Sequence, residues 1–242
     1  ASLLYLLAIF KGAGHLFQMF LDVPYEAGVG LTLLIVVLYT SVGGFVSVVR
    51  TDVMQGLLML LGSIVIFYFV TRAAGGVTSI ATLSALPDKQ FLFELNGGIP
   101  FAVLLGVSLS GSLKLLADPR QLSRFYALKD DAEVLRGKWI ATIGLAIVLG
   151  CLFPVGIYAH LILTDVTDTD LIVPSLVNDA AVFPLWATDF LIVSILAAAM
   201  SSMDSVLLVA ASTLYKNIVA PFSPSSRELL WTRTAVIGFS IV

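Results

Sequence analysis

The sequence predicts an all-α protein that lies within a lipid bilayer. Hydrophobic residues make up 59% of the 242 residues and charged residues only 12%, about half the charged share of a typical soluble domain. A helix needs about 20 mostly apolar residues to cross roughly 30 Å of hydrocarbon. Six stretches meet this requirement, and a seventh begins near Trp231: 2–21, 28–49, 53–71, 99–117, 138–163 and 183–215.

The basic residues alternate from one connection to the next. Connections 21–27, 72–98 and 164–182 contain two of them, Arg72 and Lys89. The other connections, with the helix ends beside them, contain nine: Arg50, Arg120, Arg124, Lys129, Arg136, Lys138, Lys216, Arg227 and Arg233. Because basic loops remain in the cytoplasm, this second set is predicted to be cytoplasmic. The acid-rich connection 164–182 is predicted to face outward.

The whole chain, residues 1–242, is predicted to form a single transmembrane domain. It begins at Ala1 and ends at Val242 inside an apolar run, which indicates a piece cut from a longer multi-pass protein of the cell membrane or bacterial inner membrane. The net charge of −3 gives no indication of a nucleic-acid partner. The single cysteine, Cys151, cannot form an internal disulfide. Because so few charged residues cannot cover a water-exposed surface of this size, the lipid bilayer is the predicted surrounding. The sequence makes no prediction of the oligomeric state.

The first predicted helix has a polar stripe in which Lys11, His15 and Gln18 follow one another at i, i+4 and i+7. Charged groups inside hydrocarbon cost about 2.5–3.5 kcal/mol and usually serve a function. One interpretation is that Lys11 and His15 line a substrate pathway, with the lysine facing an anionic solute. The alternative is hydrogen bonding between helices, or a lysine that reaches the membrane surface.

The fourth predicted helix is short and ends at a proline. Pro119 lacks a backbone donor and clashes with the preceding turn, so the helix is predicted to break near residues 115–118. Interrupted helices mark binding sites in many transporters, which makes Lys114 and Asp118, spaced i and i+4, candidate substrate-binding residues. The alternative is that the helix simply leaves the membrane here.

The sixth predicted helix contains a dense run of small polar residues, with hydroxyls at Ser201, Ser202 and Ser205 around the acid Asp204. Hard cations such as Na⁺ prefer oxygen ligands. The alternative is a packing seam of small residues whose serines bond to their own helix. An acid among hydroxyls at membrane depth favours the cation.

Asp52 follows Arg50 and Thr51 at the predicted start of the third helix. From these neighbours alone, it is expected to open that helix and to face the cytoplasm. The helix dipole favours an acid at such an N-terminus.

Three segments resemble motifs of the sodium:solute symporter family, which contains the proline, pantothenate, iodide and sugar symporters. The segments are Tyr39-Thr40 with Gly43-Gly44 and Thr51-Asp52-Val53-Met54-Gln55; Asp118-Pro119-Arg120 with Arg124-Phe125-Tyr126-Ala127; and Ala198 with Met200-Ser201-Ser202-Met203-Asp204-Ser205. One departure is that the family's Gly-Gln-Pro-His segment reads Ala117-Asp118-Pro119-Arg120 here. The resemblance therefore does not carry over a particular substrate.

The resemblance implies a LeuT-like bundle of two inverted five-helix repeats. The chain would then hold core helices three to nine of the fold, about six of them complete, and would lack helices one, two and ten. It also implies a sodium site formed by the Ala198 carbonyl and the Ser201 and Ser202 hydroxyls. A second sodium site, present in some members, would use Asp52, Ser201, Asp204 and Ser205.

The function that follows is sodium-coupled transport of a small organic solute or anion by alternating access, with Na⁺ as the coupling ion. A membrane-embedded solute sensor within a signalling protein is the alternative. An enzyme is not expected, because the two histidines, His15 and His160, form no metal-ligand cluster and no nucleophile–base spacing is present.

Overall fold

A computed structural model describes residues 2–94, 99–163 and 172–222, with Trp231, 233–236 and Gly238. Eight α-helices follow one another in this part of the chain: α1 (Ser2–Leu21), α2 (Tyr25–Ala73), α3 (Ile80–Ser84), α4 (Phe101–Ala117), α5 (Pro119–Tyr126), α6 (Asp131–Ile162), α7 (Ile172–Val177) and α8 (Leu185–Leu214). Short 3₁₀ segments lie at Val77–Ser79 and Pro87–Phe93, and a π-helical turn at Tyr215–Val219 extends α8. The predicted all-α class is confirmed for the described residues.

Four helical segments are long and apolar enough to cross a membrane: Leu4–Leu21, Gly43–Ala73, Asp131–Ile162 and Leu185–Val219. A fifth is present if α4 and α5, which meet at a bend of 43°, form one broken span. The apolar helix Tyr25–Ser41 is shorter. These spans fit a multi-pass membrane protein, whereas the predicted count of six complete spans is not confirmed.

The boundary between the second and third predicted helices was placed wrongly. They were expected to separate at 49–52, but the backbone breaks at Gly44, where φ is 59° and ψ is −150°. This combination is essentially restricted to glycine, so Gly44 lets the chain turn between an N-terminal limb of α2 (Tyr25–Ser41) and a C-terminal limb (Gly43–Ala73). Asp52 consequently lies inside the C-terminal limb and does not open a helix.

The break predicted at Pro119 is confirmed. Helix α4 ends at Ala117, Asp118 adopts an extended conformation, and α5 begins with Pro119 as its first residue. Proline suits this position because the first turn of a helix needs no intrahelical N–H donor. The Asp118 carboxylate accepts a hydrogen bond from the Arg120 backbone N–H at 3.0 Å and so caps α5.

The fifth predicted helix begins earlier than expected, at Asp131 instead of residue 138. The carboxylate of Asp130 caps its first turn by accepting from the Glu133 backbone N–H at 2.9 Å. Arg136 therefore belongs to α6 and not to a connection. Residues 164–171 of the acid-rich connection lie outside the described residues, as do parts of the seventh predicted helix.

The chain divides into two compact units, the first formed by residues 1–59 and 189–242 and the second by residues 60–188. In the first unit, α1, the N-terminal limb of α2 and α8 share a core. Its buried members are Leu6, Ala13, Val36, Met203, Val206 and Leu207. A Cβ added to Gly28 would lie 2.6 Å from Cβ of Phe17. Small residues therefore allow α1 and α2 to approach closely.

The second unit packs the end of α6 against the connection after α2. The Tyr158 side chain is fully buried, and its hydroxyl donates to the Val77 carbonyl at 3.3 Å. The ring of Phe69 contacts the rings of Phe183 and Trp186 at centroid distances of 5.6 and 5.8 Å. These contacts link the end of α2 to the start of α8 within this unit.

Replacing Gly44 with alanine is expected to destabilise the full-length protein by about 1–3 kcal/mol, because an L-residue is strained in this backbone conformation. The measurement is thermal unfolding of the purified protein in detergent. Gly30→Ala is the matched control, since a Cβ there meets nothing within 4 Å. Equal melting temperatures for both variants would contradict the assignment of the break to Gly44.

Candidate functional site

The first unit contains a network of polar side chains inside an otherwise apolar helix packing. Ser201 of α8 donates a hydrogen bond from Oγ to Asp52 Oδ1 at 2.7 Å. One turn further along α8, Asp204 Oδ2 accepts from the Tyr39 hydroxyl at 2.8 Å. The network therefore joins α8 to both limbs of α2.

Asp204 is the most deeply buried member, with 0% of its surface exposed. Its Oδ1 accepts from the Ser205 backbone N–H at 2.6 Å, while the Ser205 hydroxyl donates to the Ser201 carbonyl at 3.0 Å. A carboxyl group buried at membrane depth requires such partners. The arrangement presents carboxylate and hydroxyl oxygens close together, as a small hard cation requires.

The break at Gly44 is what brings Tyr39 and Asp52 to the same part of α8. These residues are 13 positions apart, and on one straight helix they would be separated by about 20 Å along the axis. Their partners Ser201 and Asp204 are separated by only about 4.5 Å on α8. A continuous α2 could not make both hydrogen bonds.

Ala198, Ser201 and Ser202 lie on one face of α8 because they are spaced i, i+3 and i+4. All three are half-buried. The structure thus brings Ser201 into contact with Asp52 and places Ser205 against Ser201 and Asp204. The predicted second ion set, Asp52, Ser201, Asp204 and Ser205, forms one connected cluster.

Lys11 and His15 belong to α1 of the first unit, and both are exposed. The His15 ring lies 4.9 Å from the Tyr25 ring, centroid to centroid. Their predicted part in substrate binding stays a prediction.

Lys114 and Asp118 belong to the second unit, where Lys114 is exposed. The Asp118 carboxylate accepts from Arg120 Nε at 2.9 and 3.0 Å, in addition to capping α5. This carboxylate therefore has a structural partner within its own turn, and its predicted contact with a substrate stays a prediction.

Two further polar residues of α2, Tyr39 and Gln55, were quoted in a motif but given no role by sequence reasoning. Tyr39 is the donor to Asp204, and Gln55 is 8% exposed. Gln55 follows Asp52 by three residues and so lies on the same face of the helix. The signal available beforehand was a glutamine among apolar neighbours in a predicted membrane span.

A family model for the sodium:solute symporter family matches residues 1–242. The chain belongs to this family of membrane transporters. Asp52, Ser201 and Asp204, all within the segments that carried the sequence resemblance, meet in the polar network described above.

Curated relatives support this placement. The chain is 27% identical over 221 residues to the sodium/pantothenate symporter of Haemophilus influenzae, covering 90% of the chain and 45% of the relative. It is 31% identical over 249 residues to the high-affinity proline transporter PutP of Bacillus subtilis, covering 95% and 49%. The chain thus spans about half the length of the curated relatives it matches. No solved structure matches it significantly.

Replacing Tyr39 with phenylalanine is expected to lower the stability of the full-length protein by about 1–3 kcal/mol, because the buried Asp204 carboxyl loses a donor while the ring still fills the core. Thermal unfolding in detergent measures the effect. Tyr68→Phe is the control, since Tyr68 lies on the same helix and is 56% exposed. If the two variants melt together, Tyr39 does not hold Asp204.

Proposed function

We propose that this chain forms part of a sodium-coupled symporter that moves a small organic solute or anion across the membrane by alternating access. The coupling ion is placed on α8, with Ala198, Ser201 and Ser202 as ligands from this chain. A second sodium position is placed at Asp52, Ser201, Asp204 and Ser205.

The observation that carries the proposal is the cluster inside the first unit in which Ser201 bonds to Asp52 and Ser205 bonds to both Ser201 and Asp204. The Asp204 carboxyl group is fully buried and has a high desolvation cost, and the half-buried Asp52 carboxyl group belongs to the same network. A bound Na⁺ offsets this cost because it neutralises charge and takes oxygen ligands. The serines supply further oxygens without adding negative charge.

The driving force is sufficient for the proposed coupling. One positive charge that crosses about 100 mV gains about 2.3 kcal/mol, and a tenfold sodium gradient adds about 1.4 kcal/mol. Together they supply ~3.7 kcal/mol per ion, which maintains a solute gradient of several hundred-fold.

The solute is proposed only by chemical class. The relatives are named for pantothenate and proline, so both compounds belong in an uptake screen with other amino acids, carboxylates and sugars. Sodium-dependent uptake by the full-length protein in vesicles is the direct test. The sensor alternative is not favoured, because the matched relatives are transporters by name.

Replacing Ser201 and Ser202 together with alanine is expected to raise the sodium concentration for half-maximal uptake by about tenfold or more, since interactions with a charged partner contribute about 1.5–3 kcal/mol each. Uptake is measured in vesicles across a sodium titration. Ser212→Ala is the control, because its hydroxyl bonds to the Val209 carbonyl of its own helix at 3.1 Å. An unchanged sodium requirement in the double variant would remove the ion site on α8.

Replacing Lys11 with methionine is expected to raise the solute concentration for half-maximal uptake and to leave the sodium requirement unchanged, because the charge is proposed to face the solute. Lys129→Met, at an exposed position, controls for loss of a positive charge. Identical solute titrations for wild type and Lys11→Met would end the pathway interpretation.

A further inference from the structure

The N-terminal end of α6 carries a basic and aromatic surface that the proposed transport function does not use. Within residues 119–139, five side chains are basic and three are acidic. This segment runs from α5 into α6 on the side predicted to be cytoplasmic, and all of it lies in the second unit. Clusters of lysine and arginine directly beside a membrane span are typical of sites for anionic lipids.

The charge pattern of α6 indicates where this surface lies relative to the bilayer. Residues 139–159 contain no Asp, Glu, Lys or Arg. As a helix they extend about 30 Å, which equals the usual thickness of the hydrocarbon. Charged side chains begin immediately before this segment, at Lys138 and Arg136. Trp139 is therefore placed at the boundary between hydrocarbon and headgroups, where tryptophan is enriched.

One exposed stripe of α6 crosses this boundary. Its four residues are spaced i, i+3, i+4 and i+7 and so share one face of the helix: Arg136, Trp139, Ile140 and Ile143. The Arg136 side chain is 73% exposed, and the three apolar residues are 58%, 73% and 56% exposed in chain order. Along the helix axis the stripe changes from basic to aromatic to aliphatic. A phospholipid shows the complementary order, from phosphate to acyl chain.

The charged groups beside Trp139 leave an excess of positive charge at the boundary. The Lys138 ammonium lies 5.8 Å from the centre of the Trp139 ring, a cation–π distance that keeps the charge next to the aromatic group. Arg136 Nη1 donates to Glu133 at 2.9 Å, which uses one of the five N–H donors of a guanidinium. Asp130 caps the first turn of α6. Two of the three acids are thus engaged in local hydrogen bonds.

We propose that this stripe binds an anionic phospholipid, with Arg136 and Lys138 at the headgroup phosphate and the apolar residues of the stripe along the acyl chains. The charges are complementary, and arginine bonds phosphate through parallel N–H donors. A soluble phosphate would satisfy the two cations alone, whereas the apolar part of the stripe fits a lipid. The inference depends neither on sodium nor on solute transport.

The basic residues also have a simpler explanation, because positively charged connections remain in the cytoplasm during membrane insertion. On that account the side chains face water and show no preference among lipids. A lipid site instead predicts that an anionic headgroup is preferred over a zwitterionic one next to Trp139 itself. Tryptophan fluorescence measures this preference, because a brominated lipid quenches the tryptophan that it contacts.

The experiment uses the full-length protein in vesicles that contain brominated phosphatidylglycerol, brominated phosphatidylcholine or mixtures of the two. Tryptophans other than Trp139 are replaced by phenylalanine. The double variant carries Arg136→Gln and Lys138→Gln. The matched control carries Arg72→Gln and Lys89→Gln, which remove two positive charges from the same unit on the side predicted to face outward.

The protein that retains both basic residues is expected to prefer phosphatidylglycerol at Trp139 by about tenfold or more, since each basic side chain near the surface contributes about fivefold. The double variant is expected to bind the two lipids within about twofold of each other, and the control to keep the original preference. Glycerol phosphate in solution is expected to have no effect.

Four results overturn the inference: equal quenching by the two lipids before substitution, no quenching by either lipid, an unchanged preference in the double variant, or an equal loss of preference in the control. Loss of the preference in the presence of glycerol phosphate also overturns it, because the site would then take a soluble phosphate. The proposed symport stands after any of these results, since neither sodium nor solute enters the measurement.

Should the protein with Trp139 as its sole tryptophan fail to fold, thermal unfolding of the protein with its native tryptophans decides. A lipid that binds the folded state raises the melting temperature. Phosphatidylglycerol added to detergent micelles is expected to stabilise the protein more than phosphatidylcholine does, and the double variant to lose that difference. Equal stabilisation by the two lipids, or an undiminished difference in the double variant, counts against the site.

Discussion

The hydrogen bond between Tyr39 and Asp204 is the interaction on which the first unit depends. The carboxyl group of Asp204, which accepts this hydrogen bond, is completely buried. Such a group is tolerated only where donors are already in position. The tyrosine hydroxyl and the Ser205 backbone N–H provide them, and the apolar packing of α1, α2 and α8 around the group keeps these donors in place.

This constraint explains why the polar residues lie where they do. Asp204 and Ser201 are one turn apart on α8, so each can face a different limb of α2. Residues 201–207 of α8 therefore make apolar core contacts through Met203 and Leu207. The same residues make polar contacts through Ser201 and Asp204. Apolar packing and the polar network share one short segment of a single helix.

The sequence predicted some of this arrangement well. Pro119 identified the break between α4 and α5 because proline excludes a backbone hydrogen bond wherever it occurs. The small-polar run of α8 identified the acid Asp204 and its neighbouring serines by type. The family resemblance then grouped Asp52 with Ser201, Asp204 and Ser205, and the structure places these four residues in one cluster.

Other features depend on contacts that local pattern does not contain. The partner of Asp204 is Tyr39, 165 residues away, and nothing in the spacing of either segment specifies that pairing. Asp52 was misread as a helix start because its charged neighbours resemble a connection. The true turn was at Gly44, where a glycine pair in an apolar run is equally compatible with a straight helix.

Helix α2 consequently consists of two helical limbs that meet at one joint, Gly44. This joint lies eight positions before Asp52, the nearest acid. A small rotation about Gly44 changes the separation between Tyr39 and Asp52 without touching either side chain. A substitution near this joint therefore affects the proposed ion site by moving Asp52 relative to Tyr39, even when no ligand is lost. Ligands of the proposed ion are therefore better identified by exchanging donor atoms at fixed side-chain size than by deleting residues.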